Sequence, residues 1–115
     1  MSRSTLPRPH DAGLSHRQVA DLRALLEEQR DFRIEQLSAL LRPGQRGLLD
    51  SADPEIYDSL VSGARAALQD VQGALWRIDQ GRYGLCVACG GAVELHRLET
   101  LPQTAKCAAC QRQPT

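Results

Sequence analysis

The four cysteines of this 115-residue chain fall in two Cys-x-x-Cys pairs near its C-terminal end. Cys86 pairs with Cys89 and Cys107 with Cys110, and seventeen residues separate the two pairs. Two intervening residues let both sulfurs of a pair reach one ion from a single turn, and this spacing is typical of a four-thiolate zinc site. Four thiolates complete a tetrahedron and leave no position for water or substrate. The spacing therefore predicts one structural zinc ion, Zn²⁺, held by these four residues.

Three other uses of the cysteines compete with zinc. Two disulfides are typical of small secreted domains, but residues 1–14 lack the apolar run and cleavage pattern of a signal peptide. A Cys-x-x-Cys redox motif needs a βαβ context, and the chain shows none. A rubredoxin-like iron site uses the same ligands and remains compatible with the spacing. We therefore expect a cytoplasmic zinc protein, without a transmembrane helix because no apolar run is long enough.

A first long helix is predicted upstream of the cysteines. Ser15 is a suitable N-cap, and Pro43 supplies the stop, so this helix is expected to run from about Ser15 to Arg42. Apolar residues follow near helical spacing between these points. They are Val19, Leu22, Leu25, Leu26, Phe32, Leu37, Leu40 and Leu41.

A second helix shows the clearest periodicity in the chain. Asp53-Pro54 is a strong start signal, because aspartate caps well and proline fits the first helical position. Gly81 is the expected C′ residue after its last turn. Apolar residues recur every seven positions on one stripe, which suits close helix–helix packing. They are Tyr57, Ala64, Val71 and Ile78, with Leu60, Ala67 and Ala74 on the adjacent seam.

Two long helices with a short connection predict an antiparallel helical hairpin, a coiled coil. The fold class is therefore mostly α, with a small C-terminal zinc finger built on the four cysteines. We expect a flexible tail over residues 1–14, the hairpin over residues 15–80 with its tip at about 43–53, and the zinc-finger module over residues 81–115. A module of this size rarely buries enough apolar surface to fold alone. We therefore expect metal binding to contribute to its folding free energy.

Three apolar residues and one tyrosine are expected to complete the packing of the module. Val93, Leu95 and Leu98 are its apolar contributors, and Tyr83 should pack where the module meets the hairpin. Trp76 lies off the main stripe of the second helix, and we expect it to pack against the module or the first helix.

Charge argues against general affinity for nucleic acid. The chain has 14 basic and 14 acidic residues and a formal net charge of zero, whereas phosphate binding needs a basic surplus. Most of the excess acid is concentrated at Asp50, Asp53, Glu55 and Asp58. No nucleophile–base pair, carboxylate pair in a pocket or glycine-rich phosphate loop is evident, so we do not expect an enzyme.

Several fixed spacings around the cysteines resemble a known family. Residues 81–90 contain G-x-Y-G-x-C-x-x-C-G, and Arg97-Leu98, Pro102 and the second cysteine pair follow. This pattern resembles the DksA/TraR family of bacterial zinc-finger proteins. The resemblance is close over the C-terminal third of the chain, and upstream it is one of architecture.

The resemblance implies a regulator of transcription. Better-known members of the family bind RNA polymerase and insert a coiled-coil hairpin into its secondary channel, where they alter initiation without specific DNA contacts. The family's tip carries an acidic D-x-x-D-x-A motif, which implies a partner-binding role here for Asp50 and Asp53. Glu55 stands in place of the alanine. Capping of the second helix is an alternative role for Asp53.

Responsive members of the family also bind the alarmone ppGpp through basic residues near the zinc module. Alignment on the cysteines places Asp70, Leu101 and Gln111 at those positions, and none is basic. The sequence therefore argues against an alarmone response through that site. Two alternatives to the polymerase regulator remain: a zinc-stapled coiled-coil adaptor for another protein, and a zinc ribbon that binds nucleic acid.

Overall fold

The computed structural model describes residues 13–42 and 54–113. Over these residues the chain is mostly helical, as the sequence predicts. Helix α1 spans His16–Leu40, α2 spans Pro54–Asp79, and two short helices follow at α3, Leu95–Thr100, and α4, Ala108–Arg112. The described residues contain no extended strand, only an isolated antiparallel bridge between Leu85 and Ala92.

Local sequence determines how the two long helices begin and end. Ser15 caps α1 as predicted: its hydroxyl accepts from the Gln18 amide at 3.0 Å, and the Gln18 side chain accepts from the Ser15 amide at 2.8 Å. Helix α1 ends at Leu40, two residues before the predicted end. Gly81 follows α2 with φ of 71°. Its amide donates to the Ile78 carbonyl, and the next amide donates to the Arg77 carbonyl, which is a Schellman termination.

Helices α1 and α2 pack side by side as an antiparallel hairpin. At one end the Arg23 guanidinium contacts the Asp79 carboxylate at 3.0 Å. At the other end the Tyr57 hydroxyl donates to the Leu40 carbonyl at 2.7 Å. The predicted tip at 43–53, with Asp50 and Asp53, lies outside the described residues.

The buried side chains of the hairpin and of the zinc module form one cluster. Its members are Leu22, Leu26, Val71, Ala74, Ile78, Tyr83, Cys86, Val93 and Leu98. Leu95 packs against this cluster, so the predicted apolar contributors of the module are confirmed. The division at residues 80–81 remains a prediction, because the buried groups on both sides of it belong to the same core.

The first helix buries only part of its apolar stripe. Leu22 and Leu26 are buried, but Leu25 is 42% exposed and Phe32 is 61% exposed. A single partner helix covers only a narrow strip of α1, so apolar residues beside that strip stay in solvent. Trp76 is 56% exposed, and its covered part faces a cavity that is also lined by Leu85 and Val87 of the zinc module.

Candidate metal centre

Two tight turns present the four cysteines. Cys86 and Cys89 lie on a turn in which the Cys86 amide donates to the Gly91 carbonyl at 2.7 Å and the Gly90 amide to the Cys86 carbonyl at 2.9 Å. Gly90 has φ of 77°, a conformation that favours glycine. The second pair is carried by the start of α4, where Cys107 is the N-cap and Cys110 lies in the helix.

The four sulfur atoms converge on one point. All of them lie within 4.8 Å of one another, and the Sγ atoms of Cys89 and Cys107 are 3.9 Å apart. A zinc–thiolate tetrahedron with bonds of about 2.3 Å has edges of roughly 3.8 Å, so the spacing fits one ion. A disulfide needs about 2.05 Å, and all four cysteines are free thiols. The structure therefore contains no disulfide among these four cysteines.

Backbone amides are directed at the sulfur atoms of the first pair. The Ala88 amide donates to Cys86 Sγ and the Gly91 amide to Cys89 Sγ, each at 3.4 Å. The pKa of Cys86 is lowered to about 6, chiefly by backbone hydrogen bonding from Cys107 and then from Cys89. The pKa of Cys110 is raised to about 12, chiefly through its side-chain hydrogen bond with Cys107. The two shifts have opposite directions because the four sulfur atoms lie close together and share hydrogen bonds.

This donor set suits structural zinc. Four thiolates are soft ligands that complete the coordination sphere of Zn²⁺ and leave no open position. A zinc ion held by these four thiolates would cross-link the two turns and would have no free position for a substrate. His96, which lies between the pairs in sequence, is exposed on α3.

Tyr83 lies where the sequence places it, at the junction of hairpin and module. It is buried, and its hydroxyl donates to the Pro102 carbonyl at 2.8 Å. Burial raises its pKa to about 12, against a smaller lowering by Arg77. Gly84 follows with φ of 89°, which favours glycine there.

One contact of the junction was missed by sequence reasoning. Arg77 donates from α2 to the carbonyls of Gln103 and Thr104, at 3.5 and 3.3 Å. Burial lowers the pKa of Arg77, although nearby Tyr83 and Asp70 act in the opposite direction. Gly73 lies one turn earlier on the same helix, and a Cβ there would make an ordinary van der Waals contact of 3.4 Å with Arg77 Nη1. The space does not require glycine, so no sequence pattern signals this contact.

A cavity of about 580 Å³ lies between α2 and the zinc module. The three positions aligned with the family's alarmone ligands, Asp70, Leu101 and Gln111, all line it. The basic side chains that line the cavity are instead those of Arg77, Arg97 and Lys106. Whether ppGpp acts there stays a prediction, and the three aligned positions argue against it.

The fold and the cysteine cluster define a helical hairpin that carries a four-cysteine zinc finger at one end. Residues 81–113 match the family model described as the prokaryotic dksA/traR C4-type zinc finger. The resemblance to the DksA/TraR family is therefore confirmed: the C-terminal module is a zinc finger of that type, with four cysteines positioned to bind one structural zinc ion.

Two further similarities extend beyond the zinc finger. The structure of transcription factor DksA2 from Pseudomonas aeruginosa superposes with a TM-score of 0.63 and 23% identity, over 87% of this chain and 84% of that one. At this identity the likeness shows a shared fold. An uncharacterized protein of Aquifex aeolicus strain VF5 is 38% identical over 56 residues, which is 49% of this chain. The aligned part spans only 39% of that relative's length.

Proposed function

We propose that this protein is a transcription regulator that binds RNA polymerase and modulates initiation by inserting its hairpin tip into the secondary channel. In this proposal Cys86, Cys89, Cys107 and Cys110 hold the structural zinc, and Asp50 and Asp53 act at the tip. The role is regulatory and not catalytic, and it belongs in the cytoplasm. No helix among the described residues is both long and apolar enough to cross a membrane.

The observation that carries the proposal is that the zinc module packs at one end of the hairpin and leaves the opposite end narrow. Helix α2 has 26 residues and is therefore roughly 39 Å long at 1.5 Å per residue. The zinc module packs at the end where Arg23 meets Asp79, and the Tyr57–Leu40 contact lies at the other end. A narrow two-helix rod with its bulk at one end is suited to enter a channel from the opposite end.

The distribution of acidic residues supports a regulator that acts by binding a protein. The second helix begins with acidic residues, and both Glu55 and Asp58 are exposed on its first turns. Asp50 and Asp53 immediately precede this helix in the sequence, so in this proposal the end that enters the channel is acidic. Such charge acts on basic groups or on a bound Mg²⁺. It opposes docking on the phosphate backbone of DNA.

Binding to core RNA polymerase is the direct test. We expect the zinc-loaded protein to co-elute with core polymerase in gel filtration at micromolar concentration. The double variant Asp50→Asn, Asp53→Asn should still co-elute but should change promoter output in a transcription assay. Glu99→Gln, an exposed carboxylate of the zinc module at the other end of the hairpin, is the matched control and should leave output unchanged.

The same purified protein tests the two alternative functions. If it forms no complex with polymerase but recovers another protein from lysate, the coiled-coil adaptor is the better interpretation. Duplex binding that weakens steeply with salt would favour the nucleic-acid ribbon. Running the transcription assay with and without ppGpp tests whether the alarmone acts, and we expect no effect through the cavity beside the zinc module.

A further inference from the structure

A five-residue segment, 102–106, connects α3 to the second cysteine pair, and we refer to it as the strap. Its backbone carbonyls are hydrogen-bonded one after another from outside the segment. Donors come from α2, from the junction, from the first cysteine turn and from α3. They are Arg77 to the Gln103 and Thr104 carbonyls, Tyr83 to Pro102, Val87 to Ala105 and Arg97 to Lys106.

Arg97 fixes the end of the strap nearest to the metal site. Its Nε donates to the Lys106 carbonyl at 3.0 Å, and its Nη2 donates to Thr104 Oγ1 at 3.4 Å. Lys106 immediately precedes Cys107, so the backbone direction at Lys106 sets where the second pair of sulfurs is presented. The rigid fork of a guanidinium suits such a double contact better than an ammonium does.

Arg77 fixes the middle of the strap from the hairpin. Both its acceptors are strap carbonyls, so the contact joins α2 to the segment that delivers the second cysteine pair. Half-buried guanidinium charge is costly unless it is hydrogen-bonded, and the two carbonyls supply that compensation. Arg77 thus adds a hydrogen-bonded link between the hairpin and the metal site to the apolar cluster that both share.

We propose that Arg77 and Arg97 are positioning residues for zinc, which hold the strap so that Cys107 and Cys110 meet Cys86 and Cys89. Through Arg77, retention of the metal is coupled to the hairpin. The proposal concerns the metal site alone and does not depend on polymerase binding. Groups that orient metal ligands without touching the metal typically change affinity 10- to 100-fold when removed.

Zinc affinity of the full chain tests this proposal. Arg97→Gln and Arg77→Gln should each bind zinc about 10- to 100-fold more weakly, measured by competition with a chromophoric chelator at constant pH. Matched controls are Arg112→Gln near the site and Arg65→Gln on α2, both exposed, and each should stay within about twofold of the parent. Retention of parental affinity by both test variants would overturn the proposal.

A spectroscopic readout distinguishes positioning from general destabilisation. The parent loaded with Co²⁺ should show the absorption of a tetrahedral tetrathiolate, and Arg97→Gln should shift that spectrum at saturating Co²⁺ while far-UV circular dichroism keeps its helical signal. Arg97→Lys should restore part of the affinity, because one donor to the Lys106 carbonyl is retained. If Arg97→Gln does not fold, the zinc affinities of Arg77→Lys and Arg77→Gln test the proposal instead. Zinc affinities equal to that of the parent in both variants would overturn the coupling of the metal site to the hairpin through Arg77.

Discussion

Tyr83 shows how a single polar group can join two parts of a small protein. Its ring belongs to the cluster that holds Leu26 and Leu98, while its hydroxyl reaches the buried Pro102 residue at the start of the strap. The buried hydroxyl and carbonyl satisfy each other, which is the condition for placing polar atoms in a core. Tyr83 therefore orders the backbone leading to Cys107 as well as filling space.

Tyr83→Phe should lower the free energy of unfolding by about 1–3 kcal/mol, because the Pro102 carbonyl loses its donor in a buried place. Urea unfolding of the zinc-loaded protein at neutral pH measures the change. An exposed ring, Phe32→Leu, serves as control and should change stability much less. Equal stability of Tyr83→Phe and the parent would show that water replaces the contact.

The same tyrosine predicts sensitivity to alkali. Burial raises the pKa of Tyr83 from 10.0 to about 12, so the unfolded chain loses this proton at lower pH than the folded chain does. Its contribution to stability is complete below pH 10 and is lost as the pH rises towards 12. The stability difference between the parent and Tyr83→Phe should therefore shrink over that interval. A constant difference across it would contradict the assignment.

At the scale of the elements, α1 and α2 differ in how their sequence patterns translate into packing. In α2 three of the four seven-residue positions, Ala64, Val71 and Ile78, are buried. In α1 only Leu22 and Leu26 are, both near the zinc module. Proximity to the module separates them from the rest of the stripe, because the module supplies a second surface to pack against.

Neighbouring leucines of α1 should therefore respond very differently to truncation. Leu26 has 0% exposure, and Leu26→Ala should destabilise by about 2–5 kcal/mol through lost burial and a cavity. Leu25 is 42% exposed, and Leu25→Ala should cost less than about 1 kcal/mol. Thermal or urea unfolding with zinc present measures both. Similar losses for the two variants would mean that Leu25 is buried in solution.

For the whole molecule, the zinc site and the hairpin should be energetically connected. The cluster runs without interruption from Leu22 and Leu26 to Cys86 and Leu98. Zinc binding in comparable finger peptides is worth roughly 10–16 kcal/mol and acts as folding free energy. Loss of the metal should therefore weaken the nearer half of the hairpin together with the module.

Chelation of zinc under reducing conditions tests this connection. Hydrogen exchange should accelerate throughout the module and around Leu22 and Leu26 in α1, whereas amides near Leu37 should change little. Adding chelator together with excess zinc is the control. Unchanged exchange in the C-terminal third after metal removal would show that the module folds without it.

The sequence by itself determined the features that depend on local spacing. Two Cys-x-x-Cys pairs place their sulfurs through short turns, Ser15 and Gly81 set helix ends through adjacent backbone groups, and a seven-residue repeat marks the packed face of α2. Each of these is decided within one or two turns of chain. The zinc site and the helical hairpin were predictable for that reason.

Only the tertiary structure decided which side chains meet across long separations. Arg77 lies 26 and 27 residues before its two acceptors in the strap, and no periodic pattern links a guanidinium to particular backbone carbonyls. The same holds for Trp76 and Phe32, which are apolar yet exposed. Burial depends on how much neighbouring surface the fold brings to each position, and a two-helix hairpin with one small module has too little surface to cover them all.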